Sequence, residues 1–382
     1  MPADDELCGA AHVHPDDSEA LSHKQPLLTE AERPLLTEAE RPPRPIHTRQ
    51  LFLYLSLVSW ACFCIIAIVL VFNSRRMMSR ENNKIPRGRH VLCNDTAAPQ
   101  HAVATILTAV SDEYIELVVV LGTSIALHAG VGCTVDRIVM LTADAGMAQS
   151  DRRKLERAGW TVRELPNIPP PASVNMHTVR HARYLKCFSK LHAFNMTEYA
   201  SVLLLDADTM VHGSVAELFT VHAPHMQKHG VHLAMARDLV YSGHPDGTFN
   251  AGVMLVRPSR NLTEELLANP HNITFDTAFA EQGFLVAVFN TTHHTRADSA
   301  HKQLHVLPQK FNLLTALATT DRARWRNAST DARIVHFTWA KPTASFMLLR
   351  CAYMGTLHFC RAWTQIRRLA YARADSDGRE AR

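Results

Sequence analysis

The segment Val202-Leu203-Leu204-Leu205-Asp206-Ala207-Asp208 closes an apolar run with two carboxylates one residue apart. On an extended segment, residues i and i+2 point the same way, so Asp206 and Asp208 can converge on one cation. Carboxylate oxygens suit Mg²⁺ or Mn²⁺, and a diphosphate would complete the shell. The apolar run reads as a strand buried on both faces. In open α/β sheets, ligands bind outside the carboxyl ends of such strands. A solvated loop or a helix cap also produces Asp-x-Asp by chance, so the pair gains meaning only from its surroundings. A second group, His222, His225, His229 and His232, is spaced like a helix face that could bind metal. Pro224 and Gly230 would interrupt that helix, which favours a solvated histidine-rich surface. The eight cysteines form no CxxC pair, so zinc-ribbon and thioredoxin-like readings have no support.

The elements needed to place the acid pair follow from periodicity. Strands are expected over 101–110, 135–142, 160–165 and 201–205, with helices over 116–128, 148–159 and 189–199. Strands alternating with helices predict an α/β domain with a mostly parallel sheet. Mixed α/β pattern continues to about residue 347, so a single catalytic domain spans 99–350, and 351–382 forms a C-terminal tail with the basic pair Arg367 and Arg368. Phe289 and Phe311 read as core.

The chain has 382 residues, 47% apolar and 20% charged, and a net charge of +4. This balance does not suggest a nucleic-acid binder, and no RNA-binding or zinc-finger signature is present. Residues 51–72 (LFLYLSLVSWACFCIIAIVLVF) carry no charge and are long enough to cross a hydrocarbon core about 30 Å thick. They predict one transmembrane anchor. A cleaved signal peptide would be shorter and nearer the N-terminus. Before the anchor, residues 1–50 are polar and proline-rich, with PLLTEAER at 26–33 and again at 34–41. They read as a disordered cytosolic tail, with a dileucine-type sorting signal as the sharper alternative. Residues 73–98 read as a stem. Arg75, Arg76, Arg80, Lys84 and Arg87 after the anchor, against Arg41, Arg44 and Arg49 before it, would put the C-terminal side in the cytosol by the positive-inside rule. Six Asn-x-Ser/Thr acceptors argue the reverse: Asn94, Asn195, Asn261, Asn272, Asn290 and Asn327 all follow the anchor. The balance favours a type II arrangement in the Golgi or another secretory-pathway membrane. Cys351 and Cys360 are candidates to pair in that oxidising lumen.

Five motifs occur in order: Ser189-Lys190-Leu191-His192, Leu205-Asp206-Ala207-Asp208-Thr209, Phe249-Asn250-Ala251-Gly252-Val253, Glu281-Gln282-Gly283-Phe284-Leu285, and Val335 to Pro342 (VHFTWAKP). Over roughly 102–343 this set resembles glycosyltransferase family 8, in the glycogenin-like branch that includes plant glucuronosyltransferases. The resemblance implies a GT-A (Rossmann-like) fold and retaining transfer from a UDP-sugar. It implies that Asp206, Asp208 and His336 hold the metal, with Ala207 between the acids at the donor. An imidazole in that shell favours Mn²⁺ over Mg²⁺. Lys341 is implied to grip the diphosphate, and Lys190 to sit near the donor and balance the acids. Asn250, Ala251 and Gly252 are implied to line the sugar pocket, Tyr114 to stack on uracil, and Arg183, rather than Arg180, to contact the donor. Glu281 and Gln282 fall beside the anomeric carbon. Asp238 either closes over the donor or makes a structural salt bridge.

Some positions depart from the family pattern. Glu281 replaces the usual aspartate, Trp339 a glycine and Thr343 a tryptophan. No tyrosine follows Asn312 within 313–321, which argues against self-glucosylation.

The expected partners are a UDP-sugar carrying glucose, glucuronic acid, galactose or N-acetylglucosamine, and a glycan, glycolipid or protein acceptor. A homodimer is left open. The rival expectation is a catalytically inactive lumenal protein of the same fold that binds a glycan or a partner.

Overall fold

Apolar runs without alternation require cover on both faces, and the central strands have it. The computed structural model describes residues 100–131, 135–239, 248–268, 273–289, 303–339, 341–343 and 347–380. The expected tail, anchor and stem lie outside them. Among the described residues, no helix is long and apolar enough to cross a membrane.

Strands β1 (His101–Leu107), β2 (Val135–Thr142), β3 (Thr161–Leu165) and β4 (Ser201–Leu205) form the parallel half of a seven-stranded sheet. After a short β5 (Thr209–Val211), the sheet continues with β6 (Leu233–Arg237), β7 (Phe249–Val256) and β8 (Leu304–Val306). The spatial order is β3-β2-β1-β4-β7-β6-β8, and only β7 runs against its neighbours. Every residue of β4 and β7 is buried. Their side chains divide between two cores: Leu203 and Leu205 face one, Val202 and Leu204 the other.

The first core is roofed by α1 (Asp112–His128), flanked by α2 (Gln149–Arg157). Ser111 caps α1 by accepting from Tyr114 N at 3.3 Å, and Asp112 and Glu113 sit in the first turn, where acids favour the helix dipole. The short α3 (Ala223–Lys228) follows a wide π turn over Leu218–His222. The second core is covered by 3₁₀ turns over Ala182–Asn195 and by α4 (Arg260–Ala268) and α5 (Ala280–Phe289). The helix expected at 189–199 therefore starts earlier and winds more tightly. Phe289 and Phe311 are core residues, as expected.

A second, three-stranded sheet has the order β5-β10-β9, built from β9 (Leu313–Leu314) and β10 (Ile334–His336). Between those strands lie α6 (Leu317–Thr320) and α7 (Arg322–Ser329).

Within the segment expected as a C-terminal tail, residues 351–354 and 357–380 are helical. After α8 (Met347–Met354), helix α9 (Leu357–Glu380) packs on α1. Phe359, Trp363 and Ile366 are buried in the first core, and Arg367 pairs with Glu116 of α1 at 2.7 Å. Apolar residues at 359, 363 and 366 are spaced as one face of a helix, a pattern the basic pair obscured. Cys351 and Cys360 are joined in a disulfide that links α8 to α9.

His212 sits against Phe359, ring edge to face with centroids 5.0 Å apart. Burial, then the neighbouring His128 and His358, pushes its pKa down to about 4. An unfolded histidine titrates near 6.5, so between about 6.5 and 4 the unfolded chain takes a proton that the native ring resists. Stability should therefore fall as pH falls through that window. His128 and His358, also lowered by burial, act in the same direction. We predict that His212→Gln makes the melting temperature of the full chain fall less steeply between pH 6.5 and 4. An unchanged slope would rule out this assignment.

Candidate active site

Strand β4 ends at Leu205, and Asp206, Ala207 and Asp208 form the turn into β5. Thr209 closes the turn by donating to Asp206 O from its backbone N at 3.0 Å and from Oγ1 at 2.7 Å. Asp206 N donates to Gly252 O at 2.8 Å, which ties the turn to β7. The two carboxylates thus converge through a turn, not through the alternation of an extended strand.

The small sheet supplies the third group. Strand β10 runs antiparallel to β5 and sets His336 opposite Thr209, while Phe337 N donates to Asp208 O at 3.0 Å. Ligand atoms of Asp206, Asp208 and His336 lie within 4.8 Å of one another. His336 Nε2 is 3.3 Å from Asp208 Oδ1. Its Nδ1 donates to Asn312 Oδ1 at 3.2 Å, and Asn312 Nδ2 donates to Asn250 Oδ1 at 2.9 Å. That chain orients the ring and turns the Nε2 lone pair toward the acids, the usual outer-shell arrangement for a liganding histidine. Burial lowers the His336 pKa against the pull of Asp206 and Asp238, so the ring is neutral, as a ligand must be. Two carboxylates and a neutral imidazole fit a divalent ion with mixed oxygen and nitrogen preference.

Lys190 is the buried counter-charge. Its Nζ lies 2.7 Å from Asp206 Oδ1 and 3.0 Å from Glu281 Oε1, and donates to Ala251 O at 3.3 Å. Burial alone would lower the Lys190 pKa, but the two carboxylates overcome it and hold it well above its ordinary value. Glu281 is only 5% exposed; burial raises its pKa, and Lys190 opposes that. The longer side chain of Glu281 is thus used to reach Lys190.

Gln282 spans the floor of the site. Its Oε1 accepts from Ala251 N at 3.0 Å, and its Nε2 donates to Asp238 Oδ2 at 2.9 Å. Asp238 is buried, and burial raises its pKa; its Oδ1 accepts from Leu239 N at 2.8 Å. Its hydrogen bonds come from the Leu239 backbone and from the Gln282 and Asn250 amides, so the salt-bridge alternative is not what holds it. Gly252 has a reason the motif did not reveal. A Cβ there would lie 2.2 Å from His336 Cε1 and 2.9 Å from Asn250 Oδ1. The missing side chain makes room for the imidazole ring.

Lys341 pairs with Asp208. Trp339, where the resemblance has glycine, adopts φ 66°, a left-handed conformation costly for a bulky residue. Thr338 steadies this segment: its O accepts from Thr315 Oγ1 at 2.7 Å and its Oγ1 from Ala316 N at 3.1 Å. Among the described residues the buried Trp339 Nε1 has no hydrogen-bond partner. Tyr114 and Arg183 line the same cavity as the acids, and Arg180 lines it too. Arg183 stacks on Tyr184 at 5.5 Å, and Arg180 on Phe279 at 4.6 Å. All the sequence-selected residues thus meet in one cavity. The role of Asn312 has no signal in the sequence, because a lone asparagine outside the five motifs says nothing of a metal site.

A mostly parallel sheet with two carboxylates and an imidazole gathered where a central strand ends defines a GT-A-like domain. The chain belongs to glycosyl transferase family 8, whose profile matches residues 105–342. Inositol phosphorylceramide glucuronosyltransferase 1 of Arabidopsis thaliana is 31% identical over 62% of this chain and 41% of its own length. Galactinol synthase 7 of the same plant is 29% identical over 37% of this chain and 48% of its own. Glycogenin-1 of Mus musculus is 26% identical over 61% of this chain and 63% of its own. The chain thus spans less than two thirds of each of these curated relatives.

The Gly252 contact makes a direct prediction. Gly252→Ala should displace His336 and weaken Mn²⁺ binding in the presence of UDP by about 10-fold or more, with the fold retained. Mn²⁺ titration followed by electron paramagnetic resonance, beside circular dichroism, reads both. Unchanged affinity would show that the ring does not depend on this glycine.

Proposed function

We propose that the chain is a retaining, Mn²⁺-dependent glycosyltransferase that takes its sugar from a UDP-sugar. The observation that carries this reading is the convergence of Asp206, Asp208 and His336 at one end of the cavity that Lys190, Asn250 and Lys341 also line. Bound by those three residues, the ion would neutralise charge on the departing diphosphate as a Lewis acid.

The protein's own groups do the rest. Lys341, now on Asp208, is placed to move onto a phosphate oxygen as a point charge. Tyr114 offers its ring to the base, and Arg183 its guanidinium to the donor. Asn250, Ala251 and Gly252 form the sugar floor, held by Gln282 and Asn312. Lys190 pairs with both Asp206 and Glu281 and fixes them, and so acts on position and charge rather than on the anomeric carbon. Gln282 is the group of the Glu281-Gln282 pair better placed to face the sugar, since Glu281 is closed off by Lys190. The indole Nε1 of Trp339 is a donor awaiting an acceptor on the ligand.

Relatives named for glucuronosyl transfer, for galactinol and for glycogenin leave the donor sugar among glucuronic acid, galactose and glucose, with N-acetylglucosamine also open. The acceptor class is a glycan, a glycolipid or a protein. We place the domain in the lumen of the Golgi or a neighbouring compartment, behind the 51–72 anchor. The Cys351–Cys360 disulfide supports an oxidising compartment. Among the described acceptor sites, Asn195, Asn261 and Asn327 are all exposed. The non-catalytic reading draws on Trp339 and on the closed Lys190–Glu281 pair.

UDP release by the full chain, with a panel of UDP-sugars and Mn²⁺, separates the readings. Chelator-sensitive release from one donor is expected. No release and no Mn²⁺-dependent UDP binding by the folded chain would favour the binding protein. Asp208→Asn should lower release by about 100-fold or more, beyond the usual loss from an outer-shell change, without loss of fold. Loss of folding in that variant would contradict the metal role. The protein purified from a eukaryotic host should shift in mass on treatment with an N-glycosidase; an unglycosylated product would reopen the orientation.

A further inference from the structure

The histidine-rich surface is a cluster, and a residue far along the chain completes it. His222 ends the π turn, His225 lies in α3 and His229 caps it. Pro224 does not break this helix, because it sits in the first turn, where its missing N–H costs nothing. His305 comes from the edge strand β8. His222 Nδ1 lies 2.9 Å from His305 Nε2. Ring centroids are 4.7 Å apart for His225 and His305, and 4.4 Å for His225 and His229. His232 does not take part: its Nδ1 lies 2.8 Å from Arg257 O.

We propose that His222, His225 and His305, with His229 in reach as a fourth ligand, form a second metal site, of zinc type and separate from the acidic one. Tetrahedral Zn–N bonds of about 2.0–2.1 Å put neighbouring ligand nitrogens about 3.3 Å apart, so the His222–His305 pair need open only slightly. A ligand through Nδ1 places the His222 proton on Nε2. Among the described residues that buried atom has no hydrogen-bond partner, and the Glu217 Oε1 carboxylate lies 3.8 Å away. At 3.8 Å this is not a hydrogen bond; a turn of Glu217 toward Nε2 would complete a carboxylate–histidine–metal arrangement. Lys310, the nearby cation, is balanced by Glu217 at 2.8 Å and Asp331 at 3.6 Å. His225 and His229 are exposed and can rotate onto the ion; their nitrogens are not already converged as those of the acidic site are. Burial lowers the pKa of His222, and burial with the neighbouring rings lowers that of His305 to about 4, so both lone pairs are available at neutral pH. An all-imidazole site favours Zn²⁺ strongly over Mn²⁺, whereas the acidic site tolerates Mn²⁺.

Zinc retention by the full chain tests this. The acidic site can also take zinc, so Asp208→Asn is the background. After stripping with chelator, exposure to Zn²⁺ and dialysis, this variant should keep one zinc per chain more than the same variant carrying H225A/H305A. Co²⁺ in its place should give the strong visible absorption of a tetrahedral site, again lost with the two histidines. In the wild-type background, H225A/H305A should keep Mn²⁺-dependent UDP binding, which reports the fold. Glu217→Gln, which leaves all four rings in place, should lower Zn²⁺ affinity by about 10- to 100-fold. Equal zinc content with and without the two histidines, no zinc on the Asp208→Asn chain, or unchanged affinity in Glu217→Gln would each overturn the site.

Discussion

Buried negative charge must be balanced, and this constraint organises the domain around the end of β4. Asp206, Asp208, Asp238 and Glu281 meet in one cavity, where Lys190 pairs with Asp206 and Glu281, and Lys341 with Asp208. Removing one partner of a buried ion pair commonly costs about 3–5 kcal/mol, because the other charge is left without compensation. Lys190 is 5% exposed and serves two carboxylates at once, so the charge it carries is structural as well as functional. Its anchor on Ala251 O joins that charge to β7. Asp208 instead shares Lys341 and His336, and the Lys341 side chain is 16% exposed against 6% for Lys190, so it is the more accessible ammonium of the two.

The two sheets divide the labour of positioning. The large sheet fixes Asp206 through its hydrogen bond to Gly252 O, and the small sheet fixes His336 through its pairing with β5. Asn250 and Asn312 bridge them, with Asn250 Oδ1 accepting both from Gly252 N and from Asn312. A metal site built this way is set by backbone ladders and amides, whose geometry changes little when the ion arrives. Gly252 belongs to the same device, since its absent side chain is what lets the imidazole approach β7.

Much of this was legible in the sequence, for identifiable reasons. The strands expected at 101–110, 135–142 and 201–205 were legible because most of their residues are buried, which leaves apolar stretches such as 138–141 and 202–205, although the first strand stops at Leu107. The Asp206–Asp208 pair stood out because acids directly after such a run are exposed to a crevice. The turn that aims them was not readable, since Ala207 and Thr209 carry no turn signature. Helix α9 was hidden by its charged face. Asn312 and His305 were invisible because their partners are distant in sequence, and only the register of β10 and β8 brings them near.

The central claim is that Asp206, Asp208 and His336 hold one ion that also binds the diphosphate. Pulsed electron paramagnetic resonance on the full chain with Mn²⁺ and UDP reads the ligands directly. The account predicts coupling to one bound nitrogen, which disappears in His336→Gln but persists in H225A/H305A, together with coupling to phosphorus. A Mn²⁺–UDP complex with no nitrogen coupling, or with coupling that survives His336→Gln, would contradict it.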